Sequence, residues 1–424
     1  MRTFPLLCCL AAVFTVSAPA APGRKPAGSE WSQWRGPARD GLSAESGLLK
    51  SWPKEGPKLL WDHAGLGKGW SSVAISGGVI YTMGQRESGQ FVIALDDASQ
   101  KELWATKVSA KSSEPRCTPT VSGGMVWALS DDGEILCCSA ADGKELWRKS
   151  YRTDFGNPPA PGWQFSESPL VDGDRVIFTP GHPEHFMVAL NAKTGDVIWE
   201  TKAELKGTGH EGTGYTGAVI SNAAGVKQYV TMVGKGCIGV AAADGKLLWH
   251  YNPVANGTAV IPTPLVWDDY VFASSGYGTG AALLKLSKDG DGVKAEEQYF
   301  LKAGTFQNHH GGMVRIGDYI YAGTGHNNGF PICLEWKTGK VAWNKDRGPG
   351  RESAAEISAD GNLYFRYQNG IMALIGATPK GYEERGVFKL PYIEGESWPH
   401  PAINGGKLYV RAHNVLMCFD VKGK

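Results

Sequence analysis

The sequence has 424 residues, of which 42% are hydrophobic and 57 are glycine, with 43 lysines and arginines against 42 aspartates and glutamates. The hydrophobic content excludes a disordered chain, and the near-zero net charge without a polybasic run makes nucleic acids and anionic membranes poor partners. The length is large for one ordinary core but suits a ring of repeated units, each of which packs only on its neighbours.

Residues 1–20 have the pattern of a secretory signal. Arg2 precedes an apolar run from Phe4 to Val16, which is followed by an A-x-A cleavage sequence at residues 18–20. The run is too short to span a bilayer. The sequence therefore predicts a mature protein without a membrane span, located in the periplasm or secreted.

Residues 21–55 form a leader ahead of the repeats. The leader contains the segment WSQWRGPARDG, which begins at Trp31. We expect the leader to cover the ring that the repeats form, with Trp31 and Trp34 on the outside. The ring itself is predicted to span residues 56–424.

One motif recurs along the rest of the chain. A small or apolar stretch, a glycine turn and a tryptophan form the sequence AAADGKLLW, which ends at Trp249. The turn glycine allows a tight reversal, so each copy predicts a strand, a turn and an outer strand whose tryptophan packs on the neighbouring repeat. Further copies end at Trp61, Trp104, Trp147, Trp199 and Trp343.

A second motif precedes each copy of the first. Apolar residues alternate around a glycine turn, as in TPTVSGGMVW from Thr118 and HPAINGGKLYV from His400, and eight such copies occur. This pattern indicates a hairpin that supplies the two inner strands of a repeat. Four strands in each of eight repeats predict an all-β, eight-bladed β-propeller of four-stranded antiparallel blades.

The two ends of the chain complement each other. The last repeat stops at Lys424 before any outer strand, whereas residues 56–61, GPKLLW, match the strand that is missing. We therefore expect the N-terminal strand to complete the last blade and close the ring, which removes the open edge of a sheet.

The leader segment together with the eight repeats resembles the secreted PQQ-like (pyrroloquinoline-quinone repeat) β-propeller proteins of the quinoprotein alcohol dehydrogenase-like superfamily. The resemblance covers essentially the whole mature chain and implies the propeller fold. For function it implies two alternatives, because similar propellers serve as quinone-dependent alcohol dehydrogenases and as scaffolds without catalysis, such as the outer-membrane assembly lipoprotein BamB.

One face of the predicted ring is rich in polar and aromatic residues. The loops that enter the inner strands and those between the second and third strands emerge on this face, and eight of the ten histidines lie in or beside them. Solvated loops would also carry polar residues, so a binding funnel and an ordinary surface both stay open as interpretations. The funnel candidates are Trp70, Arg116, Trp163, Glu167, His210, Glu211, Tyr215, Asn308, His309, His310, His326, Asn327, Arg351, Glu352, Trp398 and His400.

Metal and cofactor sites are further hypotheses for this face. His309, His310 and His326 are candidate metal ligands, although the sequence does not fix a ligand count. In the dehydrogenases that the chain resembles, the quinone lies between a tryptophan and a disulfide of adjacent cysteines, beside a calcium ion. Cys137 and Cys138 are adjacent, but we interpret them as core residues of a third strand, whose side chains alternate between faces. The remaining candidates for stacking and for calcium are Trp163, Glu167, Asn308 and Glu352.

The sequence favours an exported, monomeric binding or scaffold propeller without a cofactor, whose funnel face binds an envelope protein or a small molecule. The alternative is a periplasmic dehydrogenase that depends on PQQ and calcium and acts on an alcohol or a sugar. No aspartate is well placed as the base of such an enzyme, and nucleic acid is not an expected partner.

Overall fold

The computed structural model describes residues 30–423, so the predicted signal at residues 1–20 lies outside the described range. Within that range, strands form eight sheets, and the other regular element is one short 3-10 turn. Seven sheets have four strands and the eighth has a fifth strand added in parallel. The predicted all-β, eight-bladed propeller is confirmed.

The chain begins with β1 (Leu42–Ser43) and β2 (Lys58–Ala64), and then makes the blades in sequence order. Blades 1 to 4 contain β3 (Ala74–Ser76), β4 (Val79–Arg86), β5 (Gly89–Asp96), β6 (Glu102–Ser109), β7 (Thr120–Ser122), β8 (Met125–Leu129), β9 (Glu134–Ser139), β10 (Glu145–Ser150), β11 (Leu170–Asp172), β12 (Arg175–Phe178), β13 (Val188–Asn191), β14 (Val197–Glu200), β15 (Val219–Ser221), the 3-10 turn Ala223–Gly225, β16 (Gln228–Val233), β17 (Gly236–Ala241) and β18 (Leu247–Tyr251). Blades 5 to 8 contain β19 (Leu265–Trp267), β20 (Tyr270–Ser275), β21 (Gly280–Asp289), β22 (Gly292–Lys302), β23 (Met313–Ile316), β24 (Tyr319–Thr324), β25 (Phe330–Glu335), β26 (Val341–Asn344), β27 (Ala354–Ala359), β28 (Asn362–Tyr367), β29 (Ile371–Gly376), β30 (Glu384–Lys389), β31 (Ala402–Asn404), β32 (Lys407–Ala412) and β33 (Val415–Asp420).

The N-terminal strand closes the propeller ring, as the repeat pattern predicts. β2 pairs antiparallel with β33, from Lys58 opposite Asp420 to Ala64 opposite Val415. Blade 8 therefore contains strands from both ends of the chain, and this pairing leaves no gap in the ring between the first and last repeats.

The repeated tryptophans join each blade to the next. The indole N–H of Trp147 in blade 2 donates to the carbonyl of Ala192 in blade 3 at 2.9 Å, and that of Trp199 donates to Ala242 in blade 4 at 3.1 Å. The turn glycines lie against these indoles, since a Cβ at Gly195 would be 2.8 Å from the Trp147 ring. Interblade packing and a positive φ of 76° both require glycine there.

A β-bulge in the outer strands explains several exposed aliphatic side chains. The pairing of β6 with β5 skips the residue before Trp104, and β10 and β14 shift in the same way. A bulged residue is left unpaired in the ladder. The bulged residues that are 39–50% exposed are Leu60, Leu103, Leu146 and Ile198.

Two blades replace the outer-strand tryptophan. Tyr299 has this position in blade 5, opposite Leu283. Gly386 has it in blade 7, where a Cβ would be 2.6 Å from the Cβ of Trp52 in the leader. Trp52 is buried against Phe388, with ring centroids 5.2 Å apart. The leader therefore supplies an indole to blade 7, which has glycine at the tryptophan position.

Residues 30–43, which we call the plug, lie in the central channel of the propeller ring. The carbonyl of Trp31 accepts a 2.7 Å hydrogen bond from the amide of Ile75 on the inner strand of blade 1. At the other end of the plug, β1 pairs in parallel with β27, the inner strand of blade 7. The prediction that Trp31 and Trp34 cover the outside of the ring is therefore wrong.

Two buried arginines hold the plug to the surrounding blades. Arg35 donates to the Met313 carbonyl of blade 6 at 2.6 Å, and Arg39 donates to the Ser168 carbonyl beside blade 3 at 2.7 Å. Gly312 leaves the room that Arg35 needs, because a Cβ there would be 1.4 Å from the guanidinium. Burial lowers the pKa of Arg39 to about 10, so the side chain remains charged at neutral pH.

Candidate functional site

A cavity of about 330 Å³ opens at one end of the central channel. Loops that enter inner strands and loops between second and third strands form its wall, and the plug contributes Trp34 as its floor. The Trp34 indole N–H donates to Thr263 Oγ1 at 3.3 Å, and its ring meets the His400 ring edge-on at 4.5 Å. The floor is therefore fixed by blades 5 and 8.

The cavity combines aromatic faces with polar groups, of which Arg116 and Glu396 are the charged ones in the described lining. Its lining residues are Trp34, Trp70, Arg116, Trp163, Ser166, Ser168, Tyr215, Thr216, Gly217, Ala259, Ile261, Thr263, Tyr277, His309, His310, Gly311, Asn327, Gln368, Glu396, Trp398 and His400.

The tryptophans of the cavity differ in how much of each ring is free. The Trp70 ring stacks on Trp398 with centroids 4.9 Å apart, and the Arg116 guanidinium lies 4.6 Å from the Trp70 centroid. Trp163 is 45% exposed and meets the Tyr215 ring edge-on at 6.2 Å. Trp163 therefore presents an open aromatic face to the cavity, whereas Trp70 is covered.

Three histidines cluster on one side of the cavity. The His309 and His310 rings stack at 3.7 Å, and the His326 ring lies 4.2 Å from His309. His309 Nδ1 forms a 2.6 Å hydrogen bond with Ser353 Oγ, and its Nε2 forms a 3.0 Å hydrogen bond with the Tyr277 hydroxyl. Both nitrogens of His309 are thus engaged by the protein.

Burial keeps the cavity histidines uncharged. It lowers the pKa of His309 to about 3 and holds the pKa values of His310 and His400 well below their ordinary value. Neighbouring imidazoles add to the effect at His310, and Arg35 adds to it at His400, because nearby positive charge disfavours protonation. At neutral pH these imidazoles are hydrogen-bonding groups and not cations.

Arg116 brings a positive charge to the lining, and a buried carboxylate opposes it. Nη1 of Arg116 lies 3.6 Å from Asp131, whose side chain is fully buried. The other oxygen of Asp131 accepts from Gln90 Nε2 at 2.5 Å. The Asp131 carboxylate therefore offsets the charge of Arg116 on this side of the cavity.

Glu167 lies behind the wall and is absent from the lining. Its carboxylate accepts hydrogen bonds from the Tyr151 hydroxyl and from the Thr179 amide, the latter at 2.7 Å. Burial raises the pKa of Glu167 to about 7, although these hydrogen bonds and the charge of Arg39 act in the opposite direction. The residue therefore serves the packing of blade 3 in this geometry.

The structure separates the predicted funnel residues into two groups. Trp70, Arg116, Trp163, Tyr215, His309, His310, Asn327, Trp398 and His400 line the cavity. Glu167, His210, Glu211, Asn308, His326, Arg351 and Glu352 lie outside its lining.

The second group is held in other ways. Asn308 is fully buried and donates to the carbonyls of Gly312 and Gly323. Glu211 pairs with Lys235 at 2.5 Å, and both line a separate cavity of about 450 Å³.

His210 lies beside the cavity wall, with its ring centroid 6.4 Å from that of Tyr215. Arg351 and Glu352 are exposed. The two groups differ in the direction of their side chains, which a loop assignment alone does not give.

Several lining residues are absent from the set that the sequence predicts. Tyr277 follows β20 and Gln368 follows β28, so both lie between a second and a third strand, where the loop rule would have found them. Trp34 was missed because the plug was expected outside the ring. Its segment has no strand periodicity that could have placed it in the channel.

The described residues around the cavity form neither a metal-binding cluster nor a disulfide. Among residues 30–423, no group of three or more His, Cys, Asp or Glu side chains is arranged to hold a metal ion. Cys137 and Cys138 are fully buried free thiols of β9, as their interpretation as core residues predicts. In the same part of the chain, no helix is long and apolar enough to cross a bilayer.

Comparison with known proteins identifies relatives of two kinds. The sequence profile of a family described as outer membrane protein assembly factor BamB matches residues 45–160 and 88–345. The BamB of Burkholderia pseudomallei is 29% identical over 137 residues, which are 32% of this chain and 32% of that protein. The quinohemoprotein alcohol dehydrogenase ADH IIB of Pseudomonas putida is 34% identical over 137 residues, which are 29% of this chain and 18% of that protein.

The solved structures extend the likeness to the fold of the whole ring. The quinohemoprotein alcohol dehydrogenase of Comamonas testosteroni superimposes with a TM-score of 0.63 at 12% identity, over 93% of this chain and 81% of that one. Identity this low supports the fold alone. The matched stretch spans a third or less of the curated relatives, so their activities do not transfer with the match.

Proposed function

Because the chain belongs to the family of PQQ-type propellers described as outer membrane protein assembly factor BamB, we propose that it is a binding propeller of the cell envelope. Its ligand enters the cavity above Trp34, and the protein performs no chemistry on it. The pattern of residues 1–20 supports export through a cleaved signal. A monomer in the periplasm or outside the cell is the form in which we expect it to act.

The observation that carries this proposal is the composition of the cavity wall. Aromatic faces, amides, hydroxyls and neutral imidazoles suit recognition of a ligand. General acid–base chemistry needs a group whose pKa lies near the working pH, whereas the pKa of His309 is lowered to about 3 and His310 is held neutral in the same way. Glu167, with a raised pKa, is turned toward Tyr151 and lies outside the lining.

A quinone-dependent dehydrogenase is the second candidate, because curated relatives carry that name. The donor set does not suit it. Calcium takes about six to eight oxygen ligands with several carboxylates among them, and Glu396 is the one carboxylate side chain in the lining of the described cavity. Of the predicted ligands, Glu167 accepts from the Thr179 amide behind the wall, Asn308 is fully buried outside the lining, and Glu352 is exposed. The lining therefore does not fit a quinone with its calcium ion.

Native mass spectrometry tests the binding proposal. The protein is purified from an envelope fraction without denaturation and compared with its Trp163→Ala and Leu103→Ala variants. We expect a bound component on the wild type and on Leu103→Ala, whose substituted residue lies on the outer edge of blade 1, and its loss from Trp163→Ala. A component retained equally by all three proteins would contradict binding in the cavity.

A titration with PQQ and calcium decides between the two candidates. Melting temperature and tryptophan fluorescence are followed for the wild type, Trp163→Ala and Glu167→Ala. Ligand at about a hundred times its dissociation constant adds roughly 2.7 kcal/mol of stability. We expect no such rise, and a rise in the wild type that disappears in either variant would overturn the proposal in favour of the dehydrogenase.

A further inference from the structure

The cavity contains hydrogen-bond donors that the protein itself does not use. Gln368 Oε1 accepts from the Trp398 indole at 2.9 Å, which fixes the amide so that Nε2 is the free end. Asn327 is held in the same way, because its Oδ1 accepts from the Ser353 hydroxyl at 2.8 Å. Within residues 30–423, neither amide nitrogen has a hydrogen-bonded acceptor, although both residues line the cavity.

His310 adds a third hydrogen-bond donor that the described chain does not use. Its Nδ1 is buried without a hydrogen-bond partner in the described chain, and its ring packs edge-on against Trp398 at 4.7 Å. A buried lone pair costs less than a buried unpaired N–H, so the proton of the neutral imidazole belongs on Nε2. His310 lines the cavity, and no residue of the described chain accepts a hydrogen bond from this Nε2.

The aromatic faces are arranged around these donors. Trp163 is 45% exposed at the wall, and Trp34 forms the floor, held by Thr263 and His400. Flat apolar faces bind the C–H faces of rings, and the surrounding amides and hydroxyls can satisfy ring hydroxyls. A cavity of about 330 Å³ is at the small end of ligand pockets, which run from roughly 300 to 1,000 Å³.

The charges around the cavity favour an uncharged ring ligand over an acidic one. Arg116 already faces the Asp131 carboxylate at 3.6 Å, and the plug residues Arg35 and Arg39 donate to backbone carbonyls. An acidic ligand such as PQQ, with its several carboxylates, would enter this cavity with few cations to pair with, at a high desolvation cost. An uncharged polyhydroxylated ring pays no such cost.

We infer that the ligand of this cavity is a neutral saccharide of one or two rings, stacked on Trp163 above the Trp34 floor and bound through the amide nitrogens of Gln368 and Asn327. The inference rests on the proposed binding function and names the chemical class that the site selects. Gln368 and Asn327 act as specificity-determining residues, since each presents a donor to a ligand hydroxyl.

The test is calorimetric titration of the full chain with maltose, cellobiose and N,N′-diacetylchitobiose, and with digalacturonate and PQQ plus calcium as acidic probes. We expect at least one neutral disaccharide to bind, with binding unchanged in Leu103→Ala. Loss of the stacking face in Trp163→Ala should weaken that binding about tenfold, as expected for an aromatic contact of roughly 1.4 kcal/mol.

Gln368→Glu separates the hydrogen bond from the shape of the site. The substituted carboxylate can still accept from the Trp398 indole, but it replaces the Nε2 donor with an acceptor. We expect neutral saccharide binding to fall about two- to tenfold, the loss of one hydrogen bond of roughly 0.5–1.5 kcal/mol.

The outcomes distinguish this inference from the function on which it rests. Binding of digalacturonate or PQQ alone, lost in Trp163→Ala, would overturn the saccharide and leave a binding cavity. Binding of a saccharide that is unchanged in Trp163→Ala and Gln368→Glu would overturn both. Absence of heat with every neutral probe also overturns the saccharide inference.

Discussion

The substitution Trp147→Ala measures how strongly one blade is joined to the next. The indole of Trp147 is 8% exposed, donates to the Ala192 carbonyl at 2.9 Å, and lies against the backbone of Gly195. Removing it leaves a void between two sheets whose backbones are held by their own ladders, so little collapse is possible. Truncation of a buried tryptophan to alanine costs about 3–5 kcal/mol, and the Ala192 carbonyl keeps a second hydrogen bond, from the Trp127 indole at 3.2 Å.

Thermal unfolding followed by circular dichroism gives this loss directly. An unfolding entropy of roughly 2 cal/mol/K per residue, scaled to a chain of this length, converts about 3–5 kcal/mol into a fall of about 4–6 °C in melting temperature. Trp163→Ala is the matched control, since the same side chain is removed from a position that is 45% exposed. We expect a fall of at most about 1 °C there. Equal melting temperatures for the two variants would refute the role given to the blade tryptophans.

Three further predictions concern buried polar groups and the plug. The folded-state pKa of Glu167 is raised to about 7 from an ordinary value of 4.5. Its contribution to folding stability is therefore fully present below pH 4.5 and is lost as the pH rises through 7. In urea titrations, Glu167→Gln should remove about 3 kcal/mol of this pH dependence. The pH dependence from His309 has the opposite sign, because its folded-state pKa is lowered to about 3. The wild type should lose folding stability as the pH falls from 6.5 toward 3, and His309→Gln should lose less over the same range. Gly312→Val places a side chain where the Arg35 guanidinium lies, so limited proteolysis should cut residues 30–43 faster than in the wild type, and an unchanged digest would contradict the packing of the plug.

The fold could be predicted from the sequence because the signals are local and repeated. Alternating apolar residues around a glycine turn specify a hairpin wherever they occur, and Trp104 or Trp249 marks the outer strand within a few residues of its turn. Ring closure was also predictable, since residues 56–61 match the strand missing after Asp420. Each of these inferences needs no knowledge of distant contacts.

The plug could not be predicted, because its position depends on contacts far away in sequence. Arg35 and Arg39 would ordinarily be assigned to a solvated surface, and only carbonyls and small residues on distant blades, such as Gly312, make their burial possible. Trp52 fills a space that exists because Gly386 lacks a side chain. Such complementary pairs leave no periodic pattern in the chain.

Only part of the candidate site could be predicted, because the rest depends on contacts that are distant in sequence. The loop rule finds residues on the correct face, including Trp163 and His310, but it does not give the direction of a side chain. Glu167 follows the rule and turns behind the wall, where Tyr151 and Thr179 hold it. The floor came from the plug, so the depth of the cavity was not accessible from the repeats.

A crystal structure of the full chain with the tightest neutral disaccharide of the panel tests the central claim most directly. We predict a sugar ring against the Trp163 indole, an amide nitrogen of Gln368 within hydrogen-bond distance of a hydroxyl, and Trp34 beneath the ligand. A disaccharide bound outside the cavity, or a cavity whose floor is open because Trp34 lies outside the channel, would contradict the account.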